Sequence, residues 1–153
     1  MEGLERIVRE HKFFAGLDEE YVKLVTGCAK NVRFEAGEYL FREGGPADQF
    51  YLLREGRVAL EISAPGRSAI SFLTVDEGEV CGVSWLIPPY RWSYDGRAIG
   101  LVRALSIDAL CLRNKCEADH HFGYEMMKRV MPVVIQRLHA TRLQVLDVYG
   151  VDA

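Results

Sequence analysis

The stretch Val32–Leu60, VRFEAGEYLFREGGPADQFYLLREGRVAL, decides the fold of this chain. Short runs of aliphatic, aromatic and β-branched residues (VRF, EYLF, QFYLL, RVAL) are cut by glycine at Gly37, Gly44-Gly45 and Glu55-Gly56. Runs of this type and length, bounded by turn residues, read as strands. The rhythm continues outward from Asn31 to about Ile107. RVAL extends to RVALEI, AISFL and ALSI follow, and further turn signals stand at Pro65-Gly66 and Glu77-Gly78. Many short strands with regular glycine punctuation predict an antiparallel sandwich or jelly roll.

Helical patterns flank the strands. Leu4, Ile7, Val8 and His11 to Phe14 mark one apolar face, followed by a break at Ala15-Gly16. Leu17 to Val25 forms a second helical segment, with Asp18 placed as N-cap and Glu19 and Glu20 suited to the helix dipole. From Ala109 to Tyr149 the chain reads as helix again and stops at Gly150-Val151-Asp152-Ala153. In that region Asp119 is expected to cap the helix that begins at His120. The expectation is a single domain over 1–153, with N-terminal helices in 1–30, a β-roll in 31–108 and C-terminal helices in 109–149.

The C-terminal helix carries a finer pattern. Met131, Leu138 and Val145 recur every seven residues, with Val134, Thr141 and Val148 three after each. That is an a/d seam, suited to a partner helix and so to a homodimer. Ile135, Leu143 and Leu146 form a second stripe expected to pack on the sheet. Pro132 removes one backbone donor and predicts a kink or a fresh start.

Composition bounds the function. The chain has 153 residues, 49% hydrophobic and 27% charged, with a net charge of -3. This is ordinary globular composition without the basic footprint of a stand-alone nucleic-acid binder. The N-terminus MEGLERIVREHKFF is amphipathic and carries acids, unlike a signal peptide, and no apolar run approaches the ~20 residues of a membrane span. A cytoplasmic location is the expectation. Cys28, Cys81, Cys111 and Cys116 contain no CxxC pair and are read as reduced thiols without a metal. His120-His121 shows no metal-ligand spacing, and neither a nucleophile–base arrangement nor a Walker loop is present. The chain is not read as an enzyme.

Taken together, FFAGLDEEYVKLV and VRFEAGEYLFREGGPADQFYLLREGRVAL resemble the cyclic-nucleotide-binding domain family of the catabolite-activator (Crp/Fnr) type. The resemblance covers Phe13 to Tyr149. It implies an eight-stranded jelly-roll β-sandwich, mainly β with flanking helices, ending in a long dimerisation helix. It also implies a cyclic nucleotide as the ancestral ligand. In the family, a phosphate-binding loop runs Gly-Glu-Leu-Ala, variable residues, then Arg-Ser/Thr-Ala. Its Glu holds the ribose and its Arg the cyclic phosphate, with backbone amides at a short helix completing the cradle.

The corresponding stretch here is Gly78–Ala98, GEVCGVSWLIPPYRWSYDGRA. Aligning on Gly82 puts Val83 at the Glu position. Counting back from Arg97-Ala98 puts Trp92 at the Arg position, with Ser93 after it. Losing the cationic partner forfeits about 3–5 kcal/mol by analogy with a broken buried ion pair. Losing the Glu contact forfeits about 1.5–3 kcal/mol. At ~1.4 kcal/mol per tenfold, a micromolar site would weaken beyond millimolar, so ordinary cyclic AMP binding is not expected.

The candidate pocket comprises Gly82, Val83, Ser84, Trp85, Arg91, Trp92, Ser93, Thr141 and Arg142. Arg91 would substitute for the missing cation only if the loop re-aims it inward; otherwise it is a surface charge and Trp92 fills the space. Trp85, Tyr90, Trp92 and Tyr94 either plug the nucleotide volume or wall a reshaped pocket for a planar or apolar ligand. Thr141 stands where the family's activators contact the base, and Arg142 replaces the Ser beside it. The family's transcription factors continue into a helix-turn-helix domain after the hinge matched by LDVYG. Direct DNA binding by this chain is therefore not expected. Two functions fit these features. One is a small-molecule sensor signalling through its C-terminal helix to a partner protein. The other is a ligand-free interaction module that keeps the roll as a scaffold.

Overall fold

Eight strands form two antiparallel four-stranded sheets in the computed structural model, which describes residues 2–148 apart from 64 and 67. The strands are β1 (Ala29–Phe34), β2 (Tyr39–Phe41), β3 (Gln49–Glu55), β4 (Val58–Ile62), β5 (Ile70–Val75), β6 (Val80–Cys81), β7 (Asp95–Ala98) and β8 (Val102–Asp108). One sheet runs β1-β8-β3-β6 and the other β2-β7-β4-β5, so every pair of consecutive strands except the β4–β5 hairpin crosses between sheets, and the chain winds into a jelly roll. Two glycine turns set the path. Gly56, between β3 and β4, has φ +91°, and a Cβ there would run into the Leu101 carbonyl. Gly82, at the end of β6, has φ +105°, and a Cβ would stand 2.6 Å from the Trp92 ring.

Helices close the roll. α1 (Glu2–Glu10) and a 3-10 turn (Lys12–Phe14) lead into α2 (Glu19–Thr26), and α3 (Ala109–Ala118) and α4 (His120–Val148) follow the last strand. Asp18 occupies the N-cap position of α2, but its side chain makes no cap bond; its carbonyl receives Tyr21 N–H and Val22 N–H instead. Asp119 does cap α4, since its Oδ1 accepts from His121 N–H at 3.0 Å and Phe122 N–H at 3.2 Å. Its Oδ2 receives the Tyr21 hydroxyl at 3.1 Å, which joins α2 to the start of α4. Pro132 lies inside α4, which runs through it. Tyr149 and the stop at Gly150–Ala153 lie outside the described residues, as does the side chain of Val148.

Phe50, Leu52, Leu60, Val102, Leu105 and Ile107 fill the roll, while Val22, Leu112, Phe122, Met126 and Val130 pack the helices against it. This face of α4 corrects the expected second stripe. Ile135, Leu143 and Leu146 do not pack on the sheet; Ile135 is 59% exposed. Past Val130 the helix turns Val133, Arg137 and Ala140 toward the roll, because the apolar rows at 122, 126 and 130 fix its rotation upstream.

The cysteine reading is also corrected. Cys28, just before β1, and Cys111, in the first turn of α3, form a disulfide with Cα atoms 5.8 Å apart. Sequence separation hid the pair: they stand 83 positions apart, and the β1–β8 ladder, which pairs Ala29 with Ile107, brings their elements together. Cys81 and Cys116 are free thiols. Burial pushes Cys81 up to about 12, so it stays protonated and is a poor nucleophile.

His11 is a buried switch on stability. Its Nδ1 accepts from Phe13 N–H at 3.2 Å, so Nε2 carries the proton and donates to the Leu53 carbonyl, also at 3.2 Å. Burial holds the imidazole below its ordinary value, against the raising effect of the Leu53 bond. The unfolded chain therefore binds the extra proton first. The stabilisation is complete above about pH 6.5 and is lost as pH falls below it, by up to about 1.4 kcal/mol per pH unit. Urea unfolding from about pH 7.5 to about pH 5.5 is expected to show a steeper loss for the wild type than for His11→Asn. Equal slopes would contradict the neutral tautomer.

Candidate functional site

The segment between β6 and β7 is built on aromatic stacking. Gly82 turns the chain so that the Trp92 ring lies over its bare Cα, and Trp92 stacks on Phe41 with centroids 4.0 Å apart and planes 15° apart. Trp85 is fully buried and stacks on Phe50 at 4.3 Å and 8°. Between them, Arg113 of α3 lies over the Tyr90 ring at 4.0 Å and donates to the Trp85 carbonyl at 2.5 Å. The loop is thus pinned from inside by two indoles and from outside by one guanidinium.

A cavity of about 280 Å³ remains beside this plug, lined by Leu60, Phe72, Val83, Tyr94, Val134, Arg137, Leu138 and Thr141. It joins the roll (β4 and β5), the loop and α4. Of the residues expected from sequence, Val83 and Thr141 line it; Thr141 spends its hydroxyl proton on the Arg137 carbonyl at 2.8 Å. Gly82, Trp85 and Trp92 are buried in the core beneath, and Ser84 is half-buried. Arg91 is exposed and donates from Nη1 to the Gly44 carbonyl at 3.3 Å, an outward position fixed by its bridge to Pro46. Ser93 and Arg142 are exposed as well. Neither Arg91 nor Arg142 lines the cavity.

Arg137 is the residue that the sequence reading missed. It reaches from α4 to the start of β6, where Nη2 donates to the Val80 carbonyl. Nη1 is buried with no hydrogen-bond partner, and among the described residues no carboxylate pairs with this guanidinium. Its charge also reaches the Tyr94 hydroxyl: burial pushes that group above its ordinary value, and Arg137 opposes the shift. Helical spacing could have found it, since Arg137 lies three after Val134 and four before Thr141, both on the predicted seam.

A larger groove of about 700 Å³ lies between Lys12–Gly16, the β5–β6 turn and α4. Arg137 lines it as well, beside Asp76 and Glu79, and Arg129 meets Glu125 at 2.8 Å and the Ala15 carbonyl at 2.9 Å. No residue of the 82–94 loop lines it, so the smaller cavity is the candidate site.

Residues 31–119 match the family described as cyclic nucleotide-binding domain. A putative cyclic nucleotide-binding protein from Geobacter metallireducens GS-15 superposes with a TM-score of 0.80 at 34% identity, over 91% of this chain and 100% of that one. Cyclic nucleotide-gated ion channel 18 of Arabidopsis thaliana is 28% identical over 89% of the chain and 19% of its own length. The CRP-like cAMP-activated global transcriptional regulator of Mycobacterium tuberculosis is 24% identical over 97% of the chain and 65% of its own length. The chain therefore spans about a fifth of the channel and just under two thirds of the regulator.

Proposed function

The chain belongs to the cyclic nucleotide-binding domain family, and from that premise we propose that it is a small-molecule sensor whose ligand occupies the cavity between the roll, Val83 and α4. The observation that carries this reading is the cavity itself, since Val134, Leu138 and Thr141 on α4 share its wall with Val83 on the loop. A ligand touching both would bias the position of α4, and differential contact of that kind is what a sensor needs. The exposed α4 residues Met131, Leu138 and Val145 fit a second copy's helix, so the signal would pass through a homodimer to a partner protein. Among the described residues no helix is long and apolar enough to cross a membrane. A cytoplasmic location belongs to the same reading and would expose the disulfide to cellular thiols.

Ordinary cyclic nucleotides fit the site poorly. Val83 offers no acceptor to a ribose, and Trp92, buried on Phe41, offers no charge to a phosphate. Calorimetry with cyclic AMP and cyclic GMP is expected to give no saturable heat at micromolar ligand. A micromolar isotherm with either would overturn the exclusion. The second reading, a ligand-free interaction module, is favoured by one observation: Trp85 and Trp92 both pack in the core and fill volume under the loop.

A further inference from the structure

We propose that the Cys28–Cys111 pair is a reversible thiol–disulfide exchange site for small thiols, and that its oxidation state governs how firmly α3 holds the 82–94 loop. The bond is within reach of solvent. Both cysteines line a cleft of about 200 Å³ together with Gly27, Lys30, Gln49 and Asp108. Cys28 is 6% exposed and Cys111 is half-buried, so the cleft presents the Cys111 sulfur first. The thiolate of a small monothiol attacks that sulfur, forms a mixed disulfide and expels Cys28, which takes up a proton. A second thiolate attacks the small molecule's sulfur, and Cys111 leaves and is protonated in turn. Two electrons thus pass to the protein, which gains two thiols, and the monothiols depart as their own disulfide. The reverse sequence restores the bond. Cys81 and Cys116 do not compete: burial pushes their thiols up to about 12 and about 11, so both stay protonated at neutral pH.

The bond matters to the loop because α3 has few other anchors. Of its ten residues only Ala109 and Leu112 are buried, and a helix that short is not stable alone. Its start is held by the disulfide and by two backbone bonds, Asp108 N–H to the Cys28 carbonyl at 2.8 Å and Ala109 N–H to the Asp48 carbonyl at 2.9 Å. Two residues beyond Cys111 stands Arg113, whose guanidinium lies over Tyr90 at 4.0 Å and donates to the Trp85 carbonyl at 2.5 Å. It also reaches the Ala47 carbonyl at 3.5 Å, and Ala47 N–H donates to the Tyr90 carbonyl at 2.7 Å. The path from sulfur to loop is therefore less than one helical turn. Reduction keeps the two backbone bonds but frees the Cys111 side chain, so α3 gains room to shift and Arg113 moves with it. The device needs no ligand in the small cavity, although Val83 of the same loop carries its effect to that wall.

The test holds the folded protein, well below its melting temperature, in a series of reduced and oxidised glutathione mixtures. Alkylation in a denaturing quench, read by mass spectrometry, is expected to show Cys28 and Cys111 opening and closing together, reversibly, along the series. Amide chemical shifts of Trp85 and Tyr90 are expected to move with that transition, while those of Val58 and Val75 in the β4–β5 hairpin hold still. Cys28→Ser/Cys111→Ser should show the reduced spectrum at every glutathione ratio. In Arg113→Met the redox-linked shifts at Trp85 and Tyr90 are expected to fall by about half or more, since the coupling between tie and loop runs through that guanidinium. The wild-type series decides the matter if that variant fails to fold. A bond that glutathione leaves intact, a lasting mixed disulfide in place of two thiols, or a chain that unfolds on reduction would overturn the exchange site. Reduction that leaves Trp85 and Tyr90 unmoved, or shifts that Arg113→Met retains in full, would overturn the hold of α3 on the loop.

Discussion

Trp85→Ala is expected to cost about 3–5 kcal/mol of folding stability, the range for removing a fully buried tryptophan. The side chain has no solvent exposure, and its ring lies parallel to Phe50 at 4.3 Å, so its loss opens a void between the loop and β3 that neighbours cannot easily fill. The Arg113–Trp85 carbonyl bond holds the backbone in place and hinders collapse into that void. Trp85→Phe provides the contrast. The indole Nε1 is buried without a partner, so phenylalanine keeps the stack and removes an unsatisfied donor. The gain from that removal, about 1–3 kcal/mol, offsets much of the lost volume. The expected order in urea unfolding is wild type close to Trp85→Phe, with Trp85→Ala far below. Equal losses for the two variants would mean that the stack carries little.

Reduction of the Cys28–Cys111 disulfide is expected to lower stability by roughly 4 kcal/mol, because cross-linking residues 83 apart removes much chain entropy from the unfolded state. For a chain of this size the loss corresponds to a fall in melting temperature on the order of 10 °C. Thermal unfolding with and without a phosphine reductant reads the effect directly, with Cys28→Ser/Cys111→Ser as the covalent control. The reductant should leave that double variant unmoved. A wild type whose melting is insensitive to reductant, with thiol titration proving the bond broken, would refute the estimate. In a reducing compartment the tie between β1 and α3 would be the first covalent constraint lost.

The sequence alone determined the roll. Alternating strand runs and glycine turns over Val32–Leu60 are local signals, and Gly56 cannot bear a side chain where it stands. β6 and β7 escaped because two and four residues give too little periodicity to read. The assignment of Val83 and Trp92 to the family's two charged positions rests on residue order alone, and no geometry entered it. Tertiary structure decided everything that depends on distant elements meeting. It joined Cys28 to Cys111 and turned Arg91 outward to the Gly44 carbonyl. It also buried the tryptophans as core and left a cavity beside them rather than around them. Arg137 became notable only once α4 lay against the start of β6, because a guanidinium with one nitrogen bonded and another buried without a partner is a property of its surroundings and not of its residue type.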